Sequence, residues 1–287
     1  MTARASLIKA VMLIVILVLS GSSGWAQKPK KGSSLKNVEL CNGSDRVSPE
    51  ARIDGCTAFI DAGDGTANGF AVAHNNRGNA YSAKNNYERA IKDFVEATRL
   101  NPNYPKAFNN LGVAYLRTGA YDLALGAFEE ALKLNPNYAA AFANRAAAYL
   151  KRNAYDRAAQ DYDEAIRLDP NLEAMWSGRC WARAVLGALQ AALEDCNRAL
   201  LFEANNAATY DSRALINLKM GQLSAAIDDY NSALRFMPKL ASALYGRGVA
   251  RLKLGDRAGG DSDISAARRI DAGIREDFAR YGVPSND

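Results

Sequence analysis

Apolar and polar residues follow one another along most of this chain with the period of an amphipathic α-helix, and short breaker segments interrupt them regularly. From Ala71 onward the same order of small, bulky and polar residues returns every 34 residues, so six blocks begin at positions 71, 105, 139, 173, 207 and 241. The fifteenth position of every block, or slot fifteen, holds glycine or asparagine, which tolerate the positive φ of a helix end. The pattern predicts two helices per block and an all-α chain.

Small and bulky residues also occupy fixed slots, which is typical of helices that pack closely in pairs. Small residues fill slots eight, twenty and twenty-seven, and aromatic residues fill slot eleven in three repeats and slot twenty-four in four. The second block shows the pattern best, with Phe108, Leu111, Gly112, Tyr115, Ala124, Phe128, Ala131 and Pro136. These residues resemble the tetratricopeptide repeat, or TPR. The resemblance implies a right-handed α-solenoid superhelix of antiparallel helix pairs with one concave face, built from TPR 1 (71–104), TPR 2 (105–138), TPR 3 (139–172), TPR 4 (173–206), TPR 5 (207–240) and TPR 6 (241–274).

Segments on either side of the repeats are expected to cap them, because end repeats leave an apolar face open. Residues 48–70 predict a capping helix and turn, with Ser48 as N-cap and Pro49 at the first helical position. Residues 27–47 are expected to form a flexible lead-in. A C-terminal capping helix and tail are expected over 275–287. Gly259 and Gly260 open the second helix of TPR 6, and Ala272 stands where the family has proline, so a looser end is expected at that repeat.

The first 26 residues have the layout of a secretory signal peptide: Arg4 and Lys9, an apolar run from Ala10 to Leu19, and small residues before Ala26. We therefore expect a periplasmic or secreted protein with no stable membrane span after cleavage. An uncleaved segment that anchors the protein in the inner membrane is the alternative.

The composition argues against an enzyme or a metal-binding protein. Residues 1–26 carry two of the positive charges, so their removal takes the formal charge from +5 to +3, and this balance does not argue for nucleic acid as a partner. The chain has one histidine, and it lacks the usual metal, nucleophile and phosphate-loop motifs. We expect no enzymatic activity, no metal and no cofactor.

An arginine in slot seven and an aspartate in slot twenty-three occur together in five repeats and are absent together from TPR 2. The two slots lie eight residues on either side of the turn, so they should meet across the helix pair. The expected ion pairs are Arg77–Asp93, Arg145–Asp161, Arg179–Asp195, Arg213–Asp229 and Arg247–Asp263. The alternative is a row of arginines that binds an anionic ligand.

Ligand contacts in the family come mainly from the concave side of the first helices, and the resemblance carries those slots to this chain. An amide ladder in the first repeats could bind an extended peptide backbone, or it could only cap and solvate helices. Basic residues in slot thirteen could attract an acidic partner or only complement helix dipoles. The candidate groove residues are Asn75, Asn76, Asn79, Asn109, Asn110, Asn144, Trp181, Asp211, Tyr245, Arg117, Lys151, Lys219 and Lys253.

The leading hypothesis is a non-catalytic, exported interaction scaffold that binds another protein or an extended peptide. The alternative is a saccharide-binding or polymer-export accessory protein, which exposed aromatic residues along the groove would favour. Some family members clamp a terminal carboxylate, but Asn75, Ala140 and Asn144 occupy the cationic positions of that clamp here, so it is not expected. Trp181 is the first candidate for a partner contact, whereas Trp176 and His74 are expected in the core.

Four cysteines allow three disulfide connectivities. Cys180 and Cys196 occupy slots eight and twenty-four, which lie at matching heights where the two helices approach closely. A Cys180–Cys196 bond is therefore expected after export, which leaves Cys41–Cys56 as the second bond. Buried free thiols are the alternative.

Overall fold

The computed structural model describes residues 35–43, 46–171 and 173–283. The predicted signal peptide, the start of the lead-in and the last four residues lie outside them. The described residues form fifteen α-helices and no strand. The helices are α1 (Leu35–Asn42), α2 (Pro49–Ala62), α3 (Ala67–Ala83), α4 (Tyr87–Leu100), α5 (Pro105–Arg117), α6 (Tyr121–Leu134), α7 (Ala139–Lys151), α8 (Tyr155–Leu168), α9 (Glu173–Leu186), α10 (Leu189–Phe202), α11 (Ala207–Lys219), α12 (Leu223–Phe236), α13 (Ala241–Lys253), α14 (Arg257–Ile270) and α15 (Ile274–Arg280).

The turn inside each 34-residue block depends on slot fifteen. All six residues there have positive φ: Asn85 and Asn153 at 56°, and glycine at 119, 187, 221 and 255 between 76° and 89°. This conformation ends the first helix of each pair and lets the chain reverse within a few residues.

The pairs stack in series into an all-α repeat solenoid. Each first helix packs against its own second helix and also against the first helix of the next repeat, as in α3 with α5 and α9 with α11. Second helices of neighbouring described repeats make no comparable contact. The first helices therefore lie closer together and line the inner face of the array.

The contact inside each pair depends on where glycine stands. In TPR 1 and TPR 2 the ring in slot twenty-four packs onto a glycine in slot eight, and a Cβ on Gly112 would lie 2.5 Å from Phe128 Cε1. In TPR 3 slot eight is Ala146, and the Tyr162 ring instead reaches Gly178 of the next repeat, where a Cβ would overlap it. TPR 5 repeats this arrangement, because Tyr230 packs against Gly246.

The N-terminal end is more ordered than the sequence suggests. Helix α2 has the predicted Ser48 cap, whose Oγ accepts a hydrogen bond from the Ala51 N–H. The expectation of a flexible lead-in is wrong for α1, which packs against α2 and α3. The close contact needs Gly55, because a Cβ there would lie 2.5 Å from Leu40 Cβ.

At the C-terminal end, α14 forms as one continuous helix despite Gly259 and Gly260. Asp256 caps α14 by accepting from the Gly259 N–H at 2.9 Å. Helix α15 then packs against α13, with Ile274 and Phe278 buried. Within the described ranges, no helix combines the length and apolar character that a membrane span requires.

Candidate functional site

The predicted amide ladder is present on the inner face, but its amide groups bind one another. Asn110 Nδ2 donates to Asn75 Oδ1 at 2.9 Å and to Asn79 Oδ1 at 3.0 Å. Asn144 Nδ2 donates to Asn109 Oδ1 at 3.0 Å. Each bond joins the first helix of one repeat to that of the repeat before it.

Burial further limits the ladder as a ligand surface. Asn75 is fully buried and Asn109 is 6% exposed. Asn76 donates to the Cys41 carbonyl and to Asn42 Oδ1, both in α1. The expectation that these asparagines present free amides to a peptide is wrong for the two buried residues, because they hold repeats together.

The ladder stops after Asn144 because tyrosine hydroxyls occupy the equivalent space. Slot six is glycine at Gly178 and Gly246, against which Tyr162 and Tyr230 pack. An asparagine at either glycine would collide with the tyrosine. A tyrosine in slot twenty-four of one repeat therefore requires a glycine in slot six of the next. Comparing slots within a single repeat does not reveal this dependence.

All five arginine–aspartate pairs are present across their helix pairs. In each, arginine Nε and Nη2 donate to the two carboxylate oxygens at 2.6 to 2.9 Å. The pairs are largely shielded from solvent, and Asp195 is only 2% exposed. In TPR 2 the buried residues Leu111 and Ala127 replace the pair by apolar contact.

Four of these arginines also reach the preceding helix pair through the third guanidinium nitrogen. Arg179 Nη1 donates to Asp163 Oδ1 at 2.8 Å, and Arg213 Nη1 donates to Asn197 Oδ1 at 2.8 Å. Arg247 binds Asn231 in the same way, and Arg77 binds Thr57 of α2. Because these nitrogens are engaged inside the molecule, the arginines do not form a row open to an anionic ligand.

Slot eleven contributes donors that the sequence analysis missed. Arg183, Asn217 and Arg251 each donate to the aspartate of their own repeat at 2.8 to 3.0 Å. The first three repeats have tyrosine in this slot. The change in slot eleven from tyrosine to arginine or asparagine in the last three repeats is the sequence feature that could have predicted these donors.

His74 takes a similar part in TPR 1, where it was expected only to pack in the core. Its Nδ1 lies 2.9 Å from Asp93 Oδ1. Burial by itself would raise the pKa of Asp93, but hydrogen bonds from His74 and Arg77 outweigh it and lower that pKa. The Asp93 carboxylate is thus held in its charged form by two partners.

The basic residues of slot thirteen divide into two groups. Arg117, Lys151 and Lys253 are exposed. Lys219 instead donates to the Ala184 carbonyl at 2.7 Å, and burial lowers its pKa. Only the first group remains open to an acidic partner.

The two candidate groove aromatics contact the C-terminal segment. Tyr245 is 2% exposed and its ring centroid lies 4.7 Å from that of Phe278 in α15. The partly buried Trp181 packs edge-on against Tyr281 at 4.9 Å. The expectation of an accessible Tyr245 is wrong, because α15 covers the apolar inner face of the last repeats. The exposed aromatic row that would favour a saccharide ligand is therefore missing at these two positions.

Trp176 is also not a simple core residue. The guanidinium of Arg179 lies 4.9 Å from its ring centroid, and that of Arg198 lies 5.8 Å away. Its indole N–H donates to the Pro170 carbonyl at 3.1 Å. The ring thus serves as a partly exposed platform for two cations.

A cavity of about 490 Å³ lies between the inner face of TPR 3 to TPR 6 and the C-terminal segment. Asp211 of α11 lines it and accepts a hydrogen bond from Ser242 Oγ at 2.6 Å through Oδ2. Its Oδ1 is buried and has no hydrogen-bond partner among the described residues. Burial raises the pKa of Asp211 to about 7, although the Ser242 bond acts in the opposite direction.

Both expected disulfides are formed. Cys180 and Cys196 join α9 to α10 with their Cα atoms 5.2 Å apart, and Cys41 and Cys56 join α1 to α2 at 4.5 Å. Among the residues that the structure describes, no cysteine is free, and no group of three or more histidine, cysteine or acidic residues could hold a metal.

The TPR repeat family model matches residues 78–119 and 216–255, and the tetratricopeptide repeat model matches residues 105–138 and 139–172. No curated protein sequence matches the chain.

Solved structures share the fold at low sequence identity. A tetratricopeptide repeat protein from Parabacteroides merdae is 17% identical, with a TM-score of 0.61 over 87% of this chain and 100% of that one. Pseudomonas aeruginosa pilF is 19% identical, with a TM-score of 0.60 over 73% of this chain and 96% of that one. YrrB, described as a TPR protein with an unusual peptide-binding site, is 18% identical, with a TM-score of 0.52 over 67% and 96%.

Repeat solenoids of this kind serve as protein-interaction scaffolds through their extended concave surfaces. The repeat matches, the six helix pairs in register and the inner face of first helices together identify the chain as a member of the tetratricopeptide repeat family.

Proposed function

We propose that this protein is a non-catalytic, exported scaffold that binds a peptide segment of another protein along its inner face. One observation carries the proposal: helix α15 lies on the inner face of the last repeats and buries Phe278 against Tyr245. The surface therefore already accommodates a short helical segment of this chain. A segment of a partner can use the same kind of contact on the repeats that α15 leaves open.

The open part of the inner face offers apolar and basic groups together. Val113, Leu116 and Ala147 are partly exposed on the first helices of TPR 2 and TPR 3. Arg117 and Lys151 are exposed at the ends of those helices. An apolar stripe beside cations suits a peptide that carries apolar anchors and acidic residues.

YrrB supports a peptide ligand as a possibility of the fold, since its structure is described as having a peptide-binding site. At 18% identity the likeness concerns the fold alone. The kind of peptide proposed for the present chain is therefore inferred from its own inner-face residues.

Export is part of the proposal and rests on two independent features. The first 26 residues read as a signal peptide, and the described chain contains two disulfides, which persist in oxidising compartments. The proposed location is the periplasm or the extracellular medium.

Affinity capture from the cell-envelope fraction tests the function. The bait is the full chain without residues 1–26, compared with an Arg117→Glu/Lys151→Glu variant. We expect a reproducible protein partner that the variant retains at least tenfold less.

The matched control is Lys92→Glu/Lys133→Glu, which makes the same charge change at exposed positions on the second helices α4 and α6. Equal capture by all three proteins would rule out the inner face of TPR 2 and TPR 3. Retention of glycan alone would favour the saccharide-binding alternative.

A further inference from the structure

The cavity beneath α15 is lined by three carboxylates, and no lysine or arginine is found among its described lining residues. Asp211 comes from α11, Asp271 directly follows α14, and Asp277 comes from α15. Asp271 accepts a hydrogen bond from the Gly273 N–H at 2.9 Å, and Asp277 pairs with Arg280. Among the described residues, Asp211 accepts a side-chain hydrogen bond from Ser242 alone, although a carboxylate can accept about four.

The position of Asp211 shows why this carboxylate is left short of partners. It occupies slot five, the slot of Asn75 and Asn109, where each side-chain oxygen accepts a hydrogen bond from an asparagine in slot six of the next repeat. In TPR 6 that slot is Gly246, so no amide reaches Asp211. Lys219, the basic slot-thirteen residue on the same helix, donates to a backbone carbonyl instead.

An aromatic wall completes the cavity. The rings of Trp181 and Tyr281 stand nearly perpendicular, at 81°, and both line it. Aromatic faces attract alkylammonium groups, and a carboxylate beside them supplies the counter-charge. The hydroxyls of Ser177 and Ser212 lie in the same lining and can accept hydrogen bonds from N–H donors.

We infer that this cavity binds an alkylammonium group, with Asp211 as counter-ion and Trp181 and Tyr281 as the aromatic wall. The volume of about 490 Å³ suits a lysine side chain with its flanking backbone, or a small free amine. The inference rests on the proposed function because a lysine side chain of the peptide partner would be one source of the alkylammonium group. The cavity can be tested without any partner.

The test follows the indole N–H resonance of Trp181 by NMR in the full chain without residues 1–26. Its loss in Trp181→Phe assigns the resonance. The probes are n-butylammonium and a capped Gly-Lys-Gly peptide, and their neutral counterparts are n-butanol and Gly-norleucine-Gly. We expect both ammonium probes to shift the resonance saturably and the neutral molecules to leave it in place. Equal shifts from the neutral molecules would overturn the inference.

The two ammonium probes distinguish the source of the group. An affinity at least tenfold higher for the lysine peptide identifies a peptide side chain as the ligand. Equal affinities identify a free amine. Either result supports the ammonium site itself.

Asp211→Asn keeps the size of the side chain and an oxygen for Ser242, so we expect an intact fold and at least a tenfold weaker affinity. The matched control is Asp228→Asn, an exposed carboxylate on α12 that removes the same charge outside the cavity. An unchanged affinity in Asp211→Asn would contradict the inference.

A pH series on the unaltered protein gives a second measurement that needs no variant. Asp211 must be ionised to bind an ammonium group, and its pKa is raised by burial to about 7. Affinity should therefore fall severalfold between pH 8 and pH 6, where the probe itself stays charged. The other titratable groups that face Asp211 are Tyr230, Tyr281, Asp271 and Asp277, and burial raises the pKa of both tyrosines. A flat profile would refute the role of Asp211.

This experiment separates the inference from the proposed function. Binding of the amine probes without a captured protein leaves the cavity assignment standing. A captured partner without binding of the amine probes would support the proposed scaffold function and reject the ammonium site.

Discussion

At the scale of single residues, the ion pairs matter mainly because removing one partner leaves the other charge buried and unpaired. Asp161 is 7% exposed and receives two hydrogen bonds from Arg145. A charge buried this far is expensive when it loses its partner, whereas the complete pair is worth little more than apolar contact. TPR 2 contains the apolar solution in the same slots, with Leu111 and Ala127.

This comparison predicts the outcome of replacing Arg145 and Asp161 by the residues of TPR 2. Arg145→Leu alone should cost about 3 to 5 kcal/mol of unfolding free energy, because Asp161 stays buried and unpaired. Arg145→Leu with Asp161→Ala should recover most of that loss. Urea unfolding followed by circular dichroism measures both. Losses of the same size in the single and the double variant would show that the two residues are not coupled.

At the scale of elements, the register between neighbouring helix pairs is set by matched ring and glycine positions. A glycine in slot eight draws the ring of slot twenty-four into its own repeat, as Gly112 does with Phe128. An alanine there sends the ring to the next repeat, as Ala146 does with Tyr162 and Gly178. Three positions on three helices therefore change together.

A Gly178→Asn variant should be destabilised by about 1 to 3 kcal/mol, since the new side chain overlaps the Tyr162 ring. Adding Ala146→Gly and Tyr162→Phe reproduces the arrangement at the joint between TPR 2 and TPR 3, so this triple variant should regain most of the stability. Thermal unfolding monitored by circular dichroism compares the two. A triple variant no more stable than Gly178→Asn would show that the ring position does not depend on slot eight.

At the scale of the whole molecule, the two disulfides bear on the proposed export of the protein. Cys180–Cys196 joins the two helices of TPR 4, and Cys41–Cys56 joins α1 to α2 next to the first repeat. A crosslink that closes a loop of this length is worth roughly 3 kcal/mol in the chain-entropy treatment. Disulfides form and persist in oxidising environments.

Protein purified from its native compartment, with free thiols alkylated at lysis, should give these two linked peptide pairs in non-reducing peptide mapping. The control is the chain without residues 1–26 produced in a reducing cytosol, where the same cysteines should be alkylated. Alkylated Cys180 from the native compartment would contradict export to an oxidising environment.

The sequence predicts the architecture well because period and helix ends are local properties. Slot fifteen, the small residues of slots twenty and twenty-seven, and the Ser48 cap each act within one or two turns. The site was harder to predict, since the exposure of Asn75, Tyr245 and Asp211 depends on residues in other repeats and in α15. The pairing of Asn110 with Asn75, for example, joins residues that lie 35 positions apart.

The hydrogen bonds that the slot-six asparagines and the slot-seven arginines make between repeats run in one direction along the chain. Asn110 and Asn144 donate to the repeat before them, as do Arg179, Arg213 and Arg247. Arg77 finds its acceptor in Thr57 of α2, which precedes every repeat. During synthesis, each new repeat therefore meets hydrogen-bond acceptors on residues that were made before it. This order would allow the repeats to fold one after another, starting from α2.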